Sequence, residues 1–183
     1  MKIIVALGNP GNKYEKSRHN AGWFFLDNLL KNATWQEEKK FKALIYKDAN
    51  TFYVKPLTYM NLSGESVRKI LDFYGLIPKR LGLFTKKEQD LSEILTVVHD
   101  DLDLDFGKIK VIKNSRSAGH HGIDSIIKHL KTKNFTRIKI GIKNEFLKKH
   151  IPPEKFVLQN FSQQEQEMLK DLFSKFQTKN PLI

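Results

Sequence analysis

Short β-branched and aliphatic runs alternate along this chain with segments whose apolar residues recur at helical spacing, and no single motif constrains the fold as strongly. Lys2–Leu7 is an apolar run stopped by Gly8-Asn9-Pro10-Gly11, which reads as a buried strand entering a turn. Asn20–Lys31 spaces Ala21, Phe24, Phe25 and Leu29 as a helix does. Phe41–Tyr46 and Thr51–Lys55 read as two strands joined by the polar turn Lys47–Asn50. Leu62–Tyr74 carries Val67, Ile70, Leu71 and Tyr74 on one helical face, with Asn61 or Ser63 as its cap and Gly75 after it. Ile77–Ser92 holds Lys79, Arg80, Lys86 and Lys87 with little periodicity and reads as a surface insertion. Ile94–Val98 is a buried strand ending at His99, Lys108–Ile112 and Arg137–Ile142 alternate as half-exposed strands, Ile123–Leu130 is a helix, and Gln163–Phe176 is an amphipathic closing helix.

Strands alternating with helices predict an α/β fold with a mainly parallel sheet and an antiparallel member. The 183 residues suit one domain, 1–183. Ligands of such sheets bind beyond the carboxyl ends of the strands. Polar residues gather at those ends: Asn9, Thr58 to Asn61, and His99 to Asp103.

The composition narrows the chemistry. With no cysteine, thiolate zinc sites, cysteine nucleophiles and Fe–S clusters are excluded. No apolar run approaches the roughly 20 residues of a membrane span, and Lys2–Leu7 lacks the length and flanks of a secretory leader, so the cytoplasm is the expected compartment. Lys+Arg number 32 against 20 Asp+Glu, a net charge of +12, and such a field favours a polyanion, nucleic acid first.

Candidate chemistry sits in five places. Gly8-Asn9-Pro10-Gly11 lacks the spacing of a dinucleotide or P-loop motif and is equally an ordinary turn. His19, just ahead of a helix, has the side chain best suited to general-base work at neutral pH. Asn61 is either a helix cap or an amide aimed at substrate. His99-Asp100-Asp101-Leu102-Asp103-Leu104-Asp105 suits either a cation or one buried carboxylate orienting an imidazole, with Asp101 and Asp105 read as solvated. Ser117-Ala118-Gly119-His120-His121-Gly122 opens a helix, where backbone N–H groups can approach an anion, and Lys108, Lys110, Lys113, Arg137 and Lys139 flank it.

Together these segments resemble bacterial-type peptidyl-tRNA hydrolase. The resemblance rests on Gly8-Asn9-Pro10-Gly11 with Tyr14, Arg18-His19-Asn20-Ala21-Gly22, Pro56 with Tyr59-Met60-Asn61-Leu62-Ser63-Gly64, His99 to Leu104, Gly119-His120 with Gly122, Arg137 to Ile142, and Phe156-Val157-Leu158, collinear from Ile3 to about Phe161. It implies a single α/β domain with a twisted mixed sheet, acting as a monomer without metal or other cofactor. The implied reaction is hydrolysis of the ester joining peptide to tRNA, with His19 as general base and Asp100 as its orienter. Asn9, Tyr14, Met60 and Asn61 would meet the substrate, and Lys110, Lys113, Arg137 and Lys139 the tRNA. Four departures stand out: His121 replaces the family's asparagine, Asn114-Ser115-Arg116-Ser117 replaces a glycine-rich stretch, Ile77–Ser92 is longer, and Lys143-Asn144-Glu145 stands where a basic-proline pair is common. The alternative reading is an RNA-binding relative with little hydrolase activity.

Overall fold

A computed structural model describes residues 1–77, 79–80, 84–85, 88–148 and 151–180. The strands are β1 (Lys2–Ala6), β2 (Gln36–Glu38), β3 (Ala43–Asp48), β4 (Thr51–Pro56), the short pair β5 (Lys79–Arg80) and β6 (Phe84–Thr85), β7 (Leu95–Asp105), β8 (Ile109–Ile112) and β9 (Thr136–Lys143). The helices are α1 (Ala21–Leu29), α2 (Ser63–Phe73), α3 (His121–Leu130), α4 (Glu145–Lys148), α5 (Pro153–Phe156) and α6 (Gln163–Lys179). Seven strands form one sheet in the order β2-β3-β4-β1-β7-β9-β8. β1 pairs in parallel with β4 and β7, and β7 with β9, while β2, β3 and β8 join antiparallel at the margins. The parallel centre that the alternation predicts is present, and the antiparallel members lie outside it.

β1 is apolar from Ile3 onward because the sheet is covered on both faces there. Ile3, Val5, Val54 and Val97 face Val67, Ile70 and Leu71 of α2 and Ile123, Ile126 and Leu130 of α3. Ile4, Ala6, Val98 and Ile138 face Phe25 and Leu26 of α1 and Leu169 and Phe173 of α6. α1 lies directly on the carboxyl end of β1 and on β7 at Val98. A Cβ on Gly22 would stand 2.6 Å from the Val98 carbonyl oxygen and 2.7 Å from that of Leu7, so only glycine allows this approach.

Five expectations change. β7 does not end at His99 but continues to Asp105, with His99, Asp100 and Asp101 paired to Lys139, Ile140 and Gly141 of β9. Pairing with a neighbouring strand overrides the low strand propensity of aspartate, which is context-dependent. Asp101 is consequently buried rather than solvated, while Asp105 is exposed as expected. β9 is not half-exposed: it lies between β7 and β8, and Arg137, Ile138, Ile140, Gly141 and Ile142 are all buried. α2 has no side-chain cap, and the Ser63 hydroxyl instead donates back to the Met60 carbonyl at 2.9 Å. α3 begins at His121, two residues earlier than the apolar spacing indicates, with His120 as its N-cap. Of the insertion Ile77–Ser92, residues 78, 81–83 and 86–87 lie outside the described residues.

Replacing Gly22 by Ala should lower stability by about 1–3 kcal/mol, because the added methyl meets main-chain oxygens that cannot rotate away. Urea unfolding reads this as a lower midpoint at unchanged slope. An unmoved midpoint would mean that α1 lifts off the sheet at no cost.

Candidate active site

His19 lies in a 3-10 turn, Arg18–Asn20, between β1 and α1. The turn is gripped from outside. The Arg18 N–H donates to the Gln159 carbonyl and the His19 N–H to that of Val157, at 2.9 and 2.8 Å. The Arg18 guanidinium stacks over Phe156 and Phe161 and donates from Nη2 to Glu165 Oε2 at 2.9 Å. Glu165 also accepts from the Ser162 N–H, closing the capping box of α6, and from the Asn144 side chain. One carboxylate thus fixes α6 and the segment before α4 to the turn that carries His19.

His19 Nδ1 lies 2.9 Å from both carboxylate oxygens of Asp100, which is almost fully buried at the middle of β7. This contact places the proton on Nδ1 and leaves Nε2 as the basic nitrogen. His120 Nε2 approaches Asp100 Oδ1 from the other side at 3.0 Å. Its Nδ1 accepts the Gly122 and Ile123 N–H groups at 3.2 and 3.4 Å, so the His120 proton sits on Nε2 and is donated to Asp100. Burial alone would raise the Asp100 pKa. The charges of His19 and His120 and the bonds they donate outweigh it and hold the carboxyl far below its usual range. For His19, burial lowers the pKa, but the Asp100 charge and hydrogen bond prevail and lift it above 6.5.

Asn9 lines a separate hollow with Ser17 and Asn20 and is tied to the turn of His19 through Asn20. The side chain of Asn20 accepts from the Asn9 N–H at 2.8 Å and donates to the Asn9 carbonyl at 3.0 Å, clamping that residue's backbone. Asn9 Oδ1 accepts the Met60 N–H at 2.8 Å, which fixes the direction in which its NH₂ group points. Tyr59, just before, sits at φ 57°, ψ 162°, a region nearly confined to glycine, and so turns the Met60 N–H inward. Met60 is buried against α3: a Cβ on Gly122 would meet its sulfur at 2.5 Å. Tyr14 packs edge-on against the exposed Tyr59, and Asn61 is exposed.

His19 and Asp100 line a cleft of about 770 Å³ together with His121, Leu147, Val157 and Leu158. His121 is exposed at its rim. Among the cations, Lys110 is exposed on the edge strand β8, and Lys113 is exposed and paired with Glu93 at 2.7 Å. Lys139 is paired with Asp101. Arg137 is buried, its guanidinium donating to the carbonyls of Ser115 and Arg116. That burial does not fit a tRNA contact and makes Arg137 a brace for the loop ahead of α3. Sequence reasoning passed over two residues, Asn20 as a clamp and His120 as a second donor to Asp100. A polar side chain in a turn and a helix cap are common, and only the fold aims these two.

One acceptor atom each from His19, Asp100 and His120 lies within 4.8 Å of the others, close enough for a cation. The protons argue against one. A metal on His120 Nε2 requires the proton on Nδ1, which the two cap hydrogen bonds forbid.

An imidazole oriented by a buried carboxylate and lining an open cleft is an arrangement that suits a hydrolase. The profile of the Peptidyl-tRNA hydrolase family matches residues 3–182. A peptidyl-tRNA hydrolase of Mycoplasma mycoides subsp. mycoides is 39% identical over 182 residues, 94% of this chain and 87% of its own length. One of Fusobacterium nucleatum subsp. nucleatum is 40% identical over 180 residues, 96% of this chain and 85% of its own. The crystal structure of peptidyl-tRNA hydrolase from Acinetobacter baumannii superposes with a TM-score of 0.81 at 29% identity, covering 100% of this chain and 87% of the other. This chain belongs to the peptidyl-tRNA hydrolase family.

The geometry sets a pH signature for the dyad. A general base at His19 would act in its neutral form, so activity should then fall as pH drops through its raised pKa. In Asp100→Asn the influences that raise this value are gone and the burial that lowers it remains. The acid limb of kcat/KM should therefore move to lower pH while the plateau falls by about 10²-fold or more. An acid limb that stays in place would detach Asp100 from the titrating group.

Proposed function

We propose that this chain hydrolyses peptidyl-tRNA with His19 as general base. The observation that carries the reading is the two-oxygen grip of Asp100 on His19 Nδ1, which leaves Nε2 as the basic nitrogen of a residue lining an open cleft. A water molecule loses its proton to Nε2 as its oxygen bonds to the ester carbonyl carbon. Asp100 balances the imidazolium, and the amides of Asn9 and Asn61 donate to the substrate oxygens as charge develops. Collapse of the tetrahedral intermediate breaks the ester C–O bond. The leaving ribose oxygen takes the proton from His19, giving free tRNA and a peptide acid. No step requires a metal or other cofactor.

On this reading Met60 and Tyr14 shape the entry beside Asn9, and His121 supplies one donor or one acceptor where relatives of this type carry an asparagine. The dyad comes entirely from one chain, which supports a monomer as the working unit. The cytoplasm is the compartment that holds the substrate. No helix among the described residues is long and apolar enough to cross a membrane.

His19→Ala should lower turnover of N-blocked aminoacyl-tRNA by about 100-fold or more while tRNA affinity stays within a few-fold. Wild-type kcat in this variant would remove His19 from the chemistry, and an inactive wild type would favour the RNA-binding alternative.

We further propose that tRNA phosphates lie along β8 and the adjoining loop, on Lys110 and Lys113, with Lys139 joining when it leaves Asp101. Lys110→Ala and Lys113→Ala should each lower the slope of log K against log[salt] by about one. Arg137→Ala should instead lower the melting temperature, because it removes the two hydrogen bonds that hold the Ser115 and Arg116 carbonyls. A reduced salt slope at unchanged stability would make Arg137 a phosphate contact after all.

A further inference from the structure

Asp100 accepts from two imidazoles, and the second is as rigidly placed as the first. His120 is the N-cap of α3, and its Nδ1 is occupied by two backbone N–H groups. Its Nε2–H therefore has one direction, toward Asp100 Oδ1, the same oxygen that lies 2.9 Å from His19 Nδ1. The ring cannot swing aside. His99 packs against it nearly perpendicular, with centroids 4.7 Å apart, and the His19 ring lies 5.0 Å away on another side. His99 is itself fixed by a 2.6 Å bond from Nδ1 to the Asp100 carbonyl, and its burial, with His120 beside it, keeps it neutral.

We infer that His120 is a positioning residue that acts through Asp100, sharing the carboxylate oxygen with His19 and so setting both the orientation of the carboxylate and its pull on the imidazole. The inference rests on the assignment of His19 as general base. An oxygen that accepts two hydrogen bonds offers less negative charge to each donor than an oxygen that accepts one. The second bond also stops the carboxylate rotating about its Cβ–Cγ axis. The other charged or titratable groups facing the cleft are Asp101 and Asp103 of β7, Lys143 of β9, His121 of α3 and Glu154 of α5. Asp101 is paired with Lys139. None of these is hydrogen-bonded to Asp100 among the described residues, whereas His120 is.

The sign of the effect follows. Without the His120 donor, Asp100 holds imidazolium more tightly, and His19 must stay protonated to higher pH. The test is His120→Asn. Asparagine is among the strongest N-caps, so α3 keeps its start, but the short side chain presents no ring nitrogen to Asp100. His120→Ser, also a strong cap, serves as a second variant should the first not fold. Two readouts are needed: the titration midpoint of His19 by NMR in the free protein, and kcat/KM against pH with N-blocked aminoacyl-tRNA. We expect the midpoint and the acid limb to rise together by about 0.5 pH unit or more, with a lower plateau. In an Asp100→Asn background the same replacement should leave the His19 midpoint where it is, since no carboxylate remains to act through. An unmoved or lowered midpoint in the single variant, or an equal rise in the Asp100→Asn background, overturns the inference and leaves His120 a helix cap. A midpoint that rises while the acid limb stays put overturns the assignment of His19 as base, and with it this role for His120; the two failures are thereby told apart.

Discussion

The buried carboxylate of Asp100 is the point on which the rest of the site depends. An ionised carboxylate out of water is costly unless every lone pair is met by a donor. Here the donors are two imidazoles from different parts of the chain, His19 from the turn before α1 and His120 from the start of α3. Solvating the charge and assembling the site are therefore one event. The carboxylate cannot be satisfied until β7, the α1 turn and the α3 N-terminus are in place, and once they are, the His19 tautomer is fixed.

A second carboxylate does for the outer shell what Asp100 does for the inner one. Glu165 caps α6, holds Arg18 and receives Asn144, so the elements above the cleft are tied to the turn carrying His19. Arg18 itself lies between two phenylalanine rings, where a displaced guanidinium would be left buried and unpaired. His19 is thus held from two directions. The carboxylate below fixes its proton and the α5–α6 region above fixes its backbone, the preorganisation that the proposed general base would require.

The positive charge divides by burial. Lys110 and Lys113 are on the surface beside β8, free to meet a phosphate backbone at the cost of a weak exposed ion pair in the case of Lys113. Lys139 is partly withdrawn toward Asp101, and Arg137 is withdrawn completely into the support of the loop ahead of α3. Residues of the same sign in one stretch of sequence therefore have different roles. Alternation along β9 does not sort them, because that strand is covered on both faces.

Much of this protein is set by its sequence. The apolar run of β1, the helical spacing in α1 and α2 and the turn chemistry after each strand are local patterns, and they are enough to predict an α/β sheet with polar residues gathered at its carboxyl edge. The motifs around Asn9, His19, Asn61 and Asp100 carry the family resemblance residue by residue. What the sequence leaves open is decided by partners remote in the chain. The acidic stretch after His99 is a strand because β9 lies beside it, and Asp101 is buried for the same reason. Asp100 orients an imidazole because His19, 81 positions away, presents Nδ1 to it at 2.9 Å. His120 works as a donor rather than a metal ligand only because the two amides at the start of α3 claim its other nitrogen. Spacing along a chain records which residues lie on one face of one element. The protonation state of a ring nitrogen depends on what the fold brings within 3 Å of it, and that is settled only when the tertiary structure closes.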